Sequence, residues 1–75
     1  MISFEVVRLL REERIRRGIS MNRLAEKSGL SQSMVSYVER AIRNPTLDTV
    51  LRIAIALEVD LWRLIKQATR RESLR

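Results

Sequence analysis

The sequence predicts an all-α fold, a compact bundle of five short helices. Residues that favour helices (Leu, Ile, Arg, Glu and Ala) are abundant, whereas only one proline and two glycines occur in 75 residues. Apolar residues recur at helical spacing in five segments. A serine, threonine or aspartate precedes each segment, where its side-chain oxygen can accept a hydrogen bond from the first helical turn.

The first helix is predicted over residues 3–17, with Ser3 as its N-cap. Arginines lie in its last turn, where the helix dipole favours cations, and Gly18 can adopt the left-handed conformation that ends a helix.

Two short helices joined by a tight turn come next, the form of a helix-turn-helix. Ser20 is expected to cap the first of them, about residues 21–28, and Gly29 supplies the turn. Ser31 is expected to cap the second, about residues 32–40. A helix with small polar residues at its start is typical of one that enters the major groove of DNA.

The last two helices follow the loop marked by Asn44-Pro45, because the residue before proline avoids helical geometry. Thr46 is expected to cap a helix over about residues 47–57, and Asp60 one over about residues 61–69. The inward stripe predicted for the fourth helix is Leu47, Val50, Leu51, Ala54 and Leu57. A single domain is therefore predicted over residues 1–69, followed by a basic, frayed tail over residues 70–75.

The composition indicates an acidic partner. The net charge of +6 rests on thirteen arginines and two lysines, and the arginine fork suits phosphate and guanine. Nucleic acid fits best, and an acidic protein or a membrane surface fits less well. Double-stranded DNA is favoured over RNA, because a rigid helix suits the B-form major groove better than the deep, narrow groove of RNA. The chain has no cysteine and no histidine, so it lacks thiolate ligands and the commonest general base and metal ligand. We therefore predict no enzyme, no metal and no cofactor.

The sequence shows no apolar run long enough to span a bilayer and no secretory signal. Together with the absence of cysteine, this predicts a cytoplasmic protein without membrane contact.

Residues of about 6–65 resemble the helix-turn-helix domain of the phage repressor, Cro and xenobiotic-response-element (XRE) family. The matching residues are Gly18-Ile19-Ser20, Leu24-Ala25-Glu26-Lys27, Gly29-Leu30-Ser31, Val35-Ser36, Val38-Glu39-Arg40, Asn44-Pro45-Thr46-Leu47 and Ile53-Ala54. The resemblance implies a lambda-repressor-like DNA-binding domain whose third helix reads the major groove. It further implies a transcriptional regulator, expected to be a repressor that acts as a homodimer on a roughly palindromic operator.

The expected base contacts come from Gln32, Ser33, Ser36 and Tyr37 on the exposed face of the third helix. Gln32 matches a leading glutamine of several repressors, whose amide can bond adenine N6 and N7. Two alternatives stay open: the Tyr37 ring either contacts DNA or packs against the domain, and Met34 either touches a thymine methyl or covers the core edge.

The expected phosphate contacts lie at helix ends and in the loop after the third helix. Asn22 and Arg23 stand in the first turn of the second helix, where free N–H groups favour an anion. Arg40, Arg43 and Asn44 line the loop. The alternative for each arginine is a solvated basic surface.

Two structural pairs are also expected. The resemblance implies a partly buried salt bridge between Arg14 and Glu39 that holds the third helix at its docking angle. Ile55 and Trp62 lie off the inward stripes, which predicts a dimer interface. The alternative is that Trp62 folds over its own domain.

Four residues depart from the family pattern. Ala41 and Glu58 stand where glycine is usual after the third and fourth helices. Met21 replaces a glutamine that often binds phosphate, and Ile42 replaces a basic residue. Three apolar residues, Met34, Ile42 and Trp62, leave a second function open: an antitoxin-like or coactivator-like module that binds a protein partner through the same fold.

Overall fold

The computed structural model describes residues 2–42 and 44–73 of the chain. Within these residues all regular structure is helical, so the all-α, five-helix prediction is confirmed. The helices are α1 (Ile2–Arg16), α2 (Met21–Ser28), α3 (Gln32–Glu39), α4 (Leu47–Ala56) and α5 (Leu61–Ser73). None of them has both the length and the apolar character that crossing a membrane requires.

Side-chain caps determine where four of the helices begin. The hydroxyl oxygens of Ser20, Ser31 and Thr46 each accept a hydrogen bond from the backbone N–H three residues later, at 3.0, 3.0 and 3.1 Å. At the start of α5, Asp60 Oδ1 accepts from the N–H of Trp62 at 3.0 Å. Each bond satisfies a backbone donor that has no partner within the helix.

Two predicted helix boundaries are wrong. Helix α1 begins at Ile2, so Ser3 lies inside its first turn and is not the N-cap. Helix α5 continues to Ser73, so the predicted break at residue 70 is absent; residues 74–75 of the predicted tail lie outside the described residues. Contacts that the sequence does not reveal support this longer helix. Ala68 is fully buried, and Arg71 Nη1 lies 3.5 Å from Glu5 Oε2 on α1.

The core lies around α1, which packs against α3, α4 and α5, while α2 packs against α3 and α4. Its buried residues are Val6, Val7, Leu9, Leu10, Leu24, Ala25, Val35, Val38, Ile53, Ala54, Ala56, Leu57, Leu64 and Ala68.

The inward face predicted for α4 is partly wrong. Leu47 is 68% exposed and Leu51 is also exposed, whereas Ile53, two residues further on, is buried. Helix α4 carries apolar residues on two faces, and both faces satisfy the helical period. Packing against α1 and α2 decides which face is buried, and Leu47, Leu51 and Ile55 are left as an exposed apolar row at four-residue spacing.

Four helices end in the same left-handed turn. Gly18, Gly29, Ala41 and Glu58 have φ angles of 68°, 72°, 55° and 57°. In each turn the N–H of the following residue donates to the carbonyl five residues before it, as Ile42 does to Tyr37 at 3.1 Å. Ala41 and Glu58 therefore adopt at these ends the conformation for which glycine is usual, with the steric strain that a Cβ brings.

We expect the substitution Ala41→Gly to raise the free energy of unfolding by about 0.5–1 kcal/mol, because it removes this strain. Urea unfolding followed by circular dichroism measures the change. The same substitution at Ala25, which lies inside α2 and in the core, should lower the free energy by more than about 1 kcal/mol, because a buried methyl group is lost as well. A loss of stability in the Ala41 variant would show that its left-handed turn is not strained.

Candidate nucleic-acid interface

One face of α3 holds the helix to the domain and leaves the opposite face open. Val35 is completely buried, and Val38 is buried one turn further on. Both belong to the core, so they fix the rotation of α3 about its own axis. The exposed side chains therefore point away from the core in a defined direction.

The open face forms a shallow groove of about 320 Å³. It is lined by Gln32, Ser33, Ser36, Tyr37 and Arg40. The structure thus brings together all four side chains expected to contact bases and one of the arginines expected to contact phosphate. Tyr37 is 40% exposed, so its ring borders the groove and is not part of the core.

The groove combines hydrogen-bonding groups of different kinds with a positive charge. An amide, two hydroxyls and a phenol offer donors and acceptors, and Arg40 offers five donors in a planar fork. Arg40 has no carboxylate oxygen within 4.0 Å among the described residues. Such a surface is suited to the edges of bases and to the phosphates beside them.

A nearly buried ion pair joins α3 to α1. Arg14 Nε and Nη2 donate to the two carboxylate oxygens of Glu39 at 2.6 and 2.9 Å, and the side chains are 11% and 7% exposed. The third guanidinium nitrogen, Nη1, donates to the carbonyl of Ile19 at 2.7 Å. The structure therefore contains the pair that the resemblance implied, in a two-point geometry that restricts the position of α3.

Two contacts of this pair were missed by sequence reasoning. The bond to the carbonyl of Ile19 ties the same arginine to the connection between α1 and α2. Arg11 adds a second cation, with its Nε 3.7 Å from Glu39 Oε1. A carbonyl gives no sequence signal, but Arg11 and Arg14 stand three residues apart, which places them on one face of α1.

The beginning of α2 is less open than predicted. Asn22 Nδ2 and Arg23 Nη1 each lie 3.3 Å from a carboxylate oxygen of Glu26 in the next turn. All three residues are exposed, so these bonds are weak and their donors can turn to a phosphate. Sequence reasoning missed Glu26, although its spacing of three and four residues from these partners is the usual signal for helical pairs.

The loop after α3 is only partly described. Asn44 is exposed, as a phosphate contact requires. Arg43, also predicted to contact phosphate, lies outside the described residues. Within the described residues, no group of histidine, cysteine, aspartate or glutamate could hold a metal ion.

Away from the groove, arginines of α1 are neutralised by acidic neighbours. Glu13 accepts hydrogen bonds from Arg16 Nη2 at 2.7 Å and from Arg17 Nε at 3.1 Å. These bonds, that of Arg16 first, hold the pKa of the Glu13 carboxyl below its ordinary value. Much of the basic charge on α1 is therefore balanced by carboxylates of the same helix.

The lowered pKa of Glu13 makes the free energy of unfolding depend on pH in the acid range. The stabilisation is fully present above the pKa of an unfolded glutamate, and it is lost as the pH falls through the lower pKa of the folded protein. We expect Glu13→Gln to remove this part of the acid dependence, at a cost of about 0.2–1 kcal/mol at neutral pH. Urea unfolding of both proteins from pH 7 to pH 3 tests this, and parallel curves would contradict it.

Comparison with known proteins agrees with this architecture. A family described as "Helix-turn-helix" matches residues 10–61, more than half of the chain. The chain belongs to the XRE-type helix-turn-helix family. Members of this family are DNA-binding domains of transcriptional regulators and are not typically enzymes.

Three relatives from different bacteria show the same relationship. The chain is 38% identical over 63 residues to the HTH-type transcriptional regulator SlrR of Bacillus subtilis, with 83% of this chain and 41% of SlrR covered. It is 44% identical over 50 residues to an HTH-type transcriptional regulator of Mycobacterium tuberculosis, covering 67% of this chain and 36% of the relative. It is 42% identical over 50 residues to SutR of Escherichia coli, covering 67% and 28%. The chain thus spans less than half the length of each of these relatives.

Proposed function

We propose that this helix-turn-helix chain is a sequence-specific regulator of transcription that reads duplex DNA with α3. The α3 groove carries this proposal, because it gathers Gln32, Ser33, Ser36, Tyr37 and Arg40 on one exposed face. Family membership supports a DNA partner, and the groove supplies the residues for sequence discrimination.

Gln32 is the principal base reader in this proposal. It is the first residue of α3, so its amide leads the helix into the major groove, where it can bond adenine N6 and N7. Ser33 and Ser36 then meet neighbouring base edges, and Tyr37 supplies a ring and a hydroxyl. Each good base contact contributes about 1–3 kcal/mol of discrimination.

Phosphate contacts provide most of the affinity. Four exposed residues supply these contacts: Asn22 and Arg23 at the start of α2, and Arg40 and Asn44 after α3. Arg43 completes this set in the proposal. Such contacts release counterions from DNA, so affinity falls steeply as the salt concentration rises.

The regulator acts as a homodimer that represses transcription, and the apolar row of α4 forms its twofold contact. Leu47, Leu51 and Ile55 leave apolar surface in water, which a second copy would cover. Trp62 is exposed as well, but the cations beside it would repel those of a second copy, so we leave it out of this interface. A twofold dimer would place its α3 helices about 34–36 Å apart, one turn of DNA.

Selection from a randomised duplex DNA pool tests the proposed function. We expect the bound fraction to contain two half-sites with a fixed spacing, one for each α3 helix. A single half-site would support base reading and contradict the dimer. A pool that stays random, with binding that disappears as salt rises, would contradict sequence-specific recognition.

We expect Gln32→Ala to relax the preference at one base pair per half-site by about 1–3 kcal/mol while leaving the salt dependence unchanged. The matched variant is Arg23→Ala, which should weaken all sequences evenly and lower the slope of log affinity against log salt by about one unit. Fluorescence anisotropy on the selected site and its single-base variants measures both effects. An even loss across all sequences in the Gln32 variant would contradict its reading role.

A further inference from the structure

A second groove, here called the α5 groove, lies on the exposed side of α5. Its volume is about 460 Å³. It is lined by Asp60, Trp62, Arg63, Lys66, Gln67 and Arg70. No residue is shared with the α3 groove, and α5 packs mainly on α1. This surface is therefore separate from the one proposed to read DNA.

The α5 groove carries an excess of positive charge. Elsewhere many arginines lie within 4.0 Å of a carboxylate oxygen. They are Arg8, Arg11, Arg14, Arg16, Arg17, Arg23, Arg52 and Arg71. Among the described residues, Arg63, Lys66 and Arg70 have no such neighbour. Asp60 lines one end of the groove, and its Oδ1 already accepts the N–H of Trp62.

An exposed aromatic side chain lies among these cations. Trp62 is 63% exposed, and Lys66 Nζ lies 5.9 Å from the centre of its ring. The ammonium group thus stands over the ring at the distance of a cation–π contact. The ring lines the same groove as Arg63 and Arg70.

We propose that the α5 groove binds an acidic peptide segment of a partner protein. Its carboxylates bond the guanidinium forks of Arg63 and Arg70, which match carboxylate geometry in two places. These arginines stand seven residues apart, about 10 Å along the helix, so one short segment reaches both. An apolar side chain of the same segment packs against Trp62, and tryptophan is one of the residue types enriched among the anchors of protein interfaces.

Charge and ring geometry favour this occupant over others. In a twofold contact, a second copy of the chain would place its own cations opposite those of the first. Such a like-charge contact disfavours association. A nucleic-acid strand would offer phosphates, but single-strand sites stack successive bases on several aromatic side chains, and Trp62 is the one aromatic residue among the described residues that line this groove. An acidic segment with a flanking apolar side chain can bond the cations and pack against the Trp62 ring without a change in the groove.

Intrinsic fluorescence tests the proposal directly, because Trp62 is the only tryptophan in the chain. The probe is an Asp/Glu-rich peptide with one leucine, titrated into the full chain. We expect a saturable change in tryptophan emission that weakens as salt rises. Replacing the acidic residues of the peptide by Asn and Gln should abolish the change, and replacing its leucine by serine should weaken it.

The double variant Arg63→Gln/Arg70→Gln should bind the peptide about 10-fold more weakly, because it loses two exposed charge contacts. The matched control is Arg8→Gln/Arg52→Gln on α1 and α4, which removes the same net charge and should leave binding unchanged. Circular dichroism checks that both variants keep their helices. Selection of duplex DNA by the Arg63/Arg70 variant should be unaltered, which separates this proposal from that of DNA reading.

Three results would overturn the proposal. An unchanged tryptophan emission would show that the peptide does not reach the α5 groove. Equal weakening by the two double variants would show that only net charge attracts it. Oligothymidylate that binds more tightly than the peptide and loses affinity in the Arg63/Arg70 variant would show a nucleic-acid surface instead.

Discussion

The substitution Glu39→Ala is expected to lower the free energy of unfolding by about 3–5 kcal/mol. It leaves the guanidinium of Arg14, only 11% exposed, without the carboxylate that accepts two of its hydrogen bonds. The bond to the carbonyl of Ile19 satisfies one donor but does not neutralise the charge. Small domains have total stabilities of about 5–15 kcal/mol, so this loss would be a large part of the whole.

Denaturant unfolding of three variants separates the buried pair from an ordinary surface pair. The control Glu26→Ala removes an exposed partner of Arg23 and should cost less than about 1 kcal/mol. The double variant Arg14→Met/Glu39→Met should recover much of the loss, because it leaves no unpaired charge in the interior. Equal losses for Glu39→Ala and Glu26→Ala would show that the Arg14–Glu39 pair is solvated like a surface pair.

This pair also connects stability to DNA reading. Glu39 is the last residue of α3 and Gln32 is the first. By holding the Glu39 end against α1, the pair restricts the angle at which the whole helix, including Gln32, presents the α3 groove. In the double methionine variant α3 loses its two-point attachment to α1 while the fold persists. We expect the free energy of operator binding to weaken by more than the free energy of unfolding. A helix with a less defined angle presents its base-contacting side chains less accurately.

The second large effect is expected at Ile53 on α4. Ile53→Ala should lower the free energy of unfolding by about 2–5 kcal/mol, because the side chain is 2% exposed and its removal leaves a cavity in the core. In a core of this size few other side chains can fill the space. Urea unfolding measured at several protein concentrations tests this prediction.

Ile55, two residues further on α4, provides a matched control. It is 72% exposed, so Ile55→Ala should change the stability of the monomer by less than about 0.5 kcal/mol. At high concentration the same variant should lose the extra stability that a dimer provides, if the apolar row of α4 is the twofold contact. A similar loss for both isoleucines at low concentration would show that α4 buries both of its apolar faces.

Local chemistry made much of the fold predictable. The caps at Ser20, Ser31, Thr46 and Asp60 act on the helix that each of them precedes, so a few adjacent residues suffice to place four helix starts. The candidate site followed from similar reasoning. Residues 32, 33, 36 and 37 share a face of any helix that begins there, and that face is open in the structure.

Other features were not predictable from local sequence. The continuation of α5 past residue 69 depends on its packing against α1 and on the contact between Arg71 and Glu5, which are distant in sequence. The left-handed conformation of Ala41 and Glu58 opposes their intrinsic preference, and the resemblance marked these positions only because glycine is usual there. Sequence reasoning also grouped Trp62 with Ile55 in one dimer interface, whereas Trp62 lines the α5 groove, which contains no residue of the apolar row of α4.

The sequence by itself determined the helical class, four helix starts, the basic charge and the composition of the α3 face, because each of these depends on residues close together in the chain. The tertiary structure alone decided which apolar face of α4 is buried and which arginines, such as Arg14 and Arg71, meet a carboxylate on another helix. Leu47 and Ile53 have similar hydrophobicity, and only the position of the neighbouring helices makes one exposed and the other buried. An arginine likewise has the same charge everywhere, but a carboxylate brought to it by folding determines whether that charge is available to a partner.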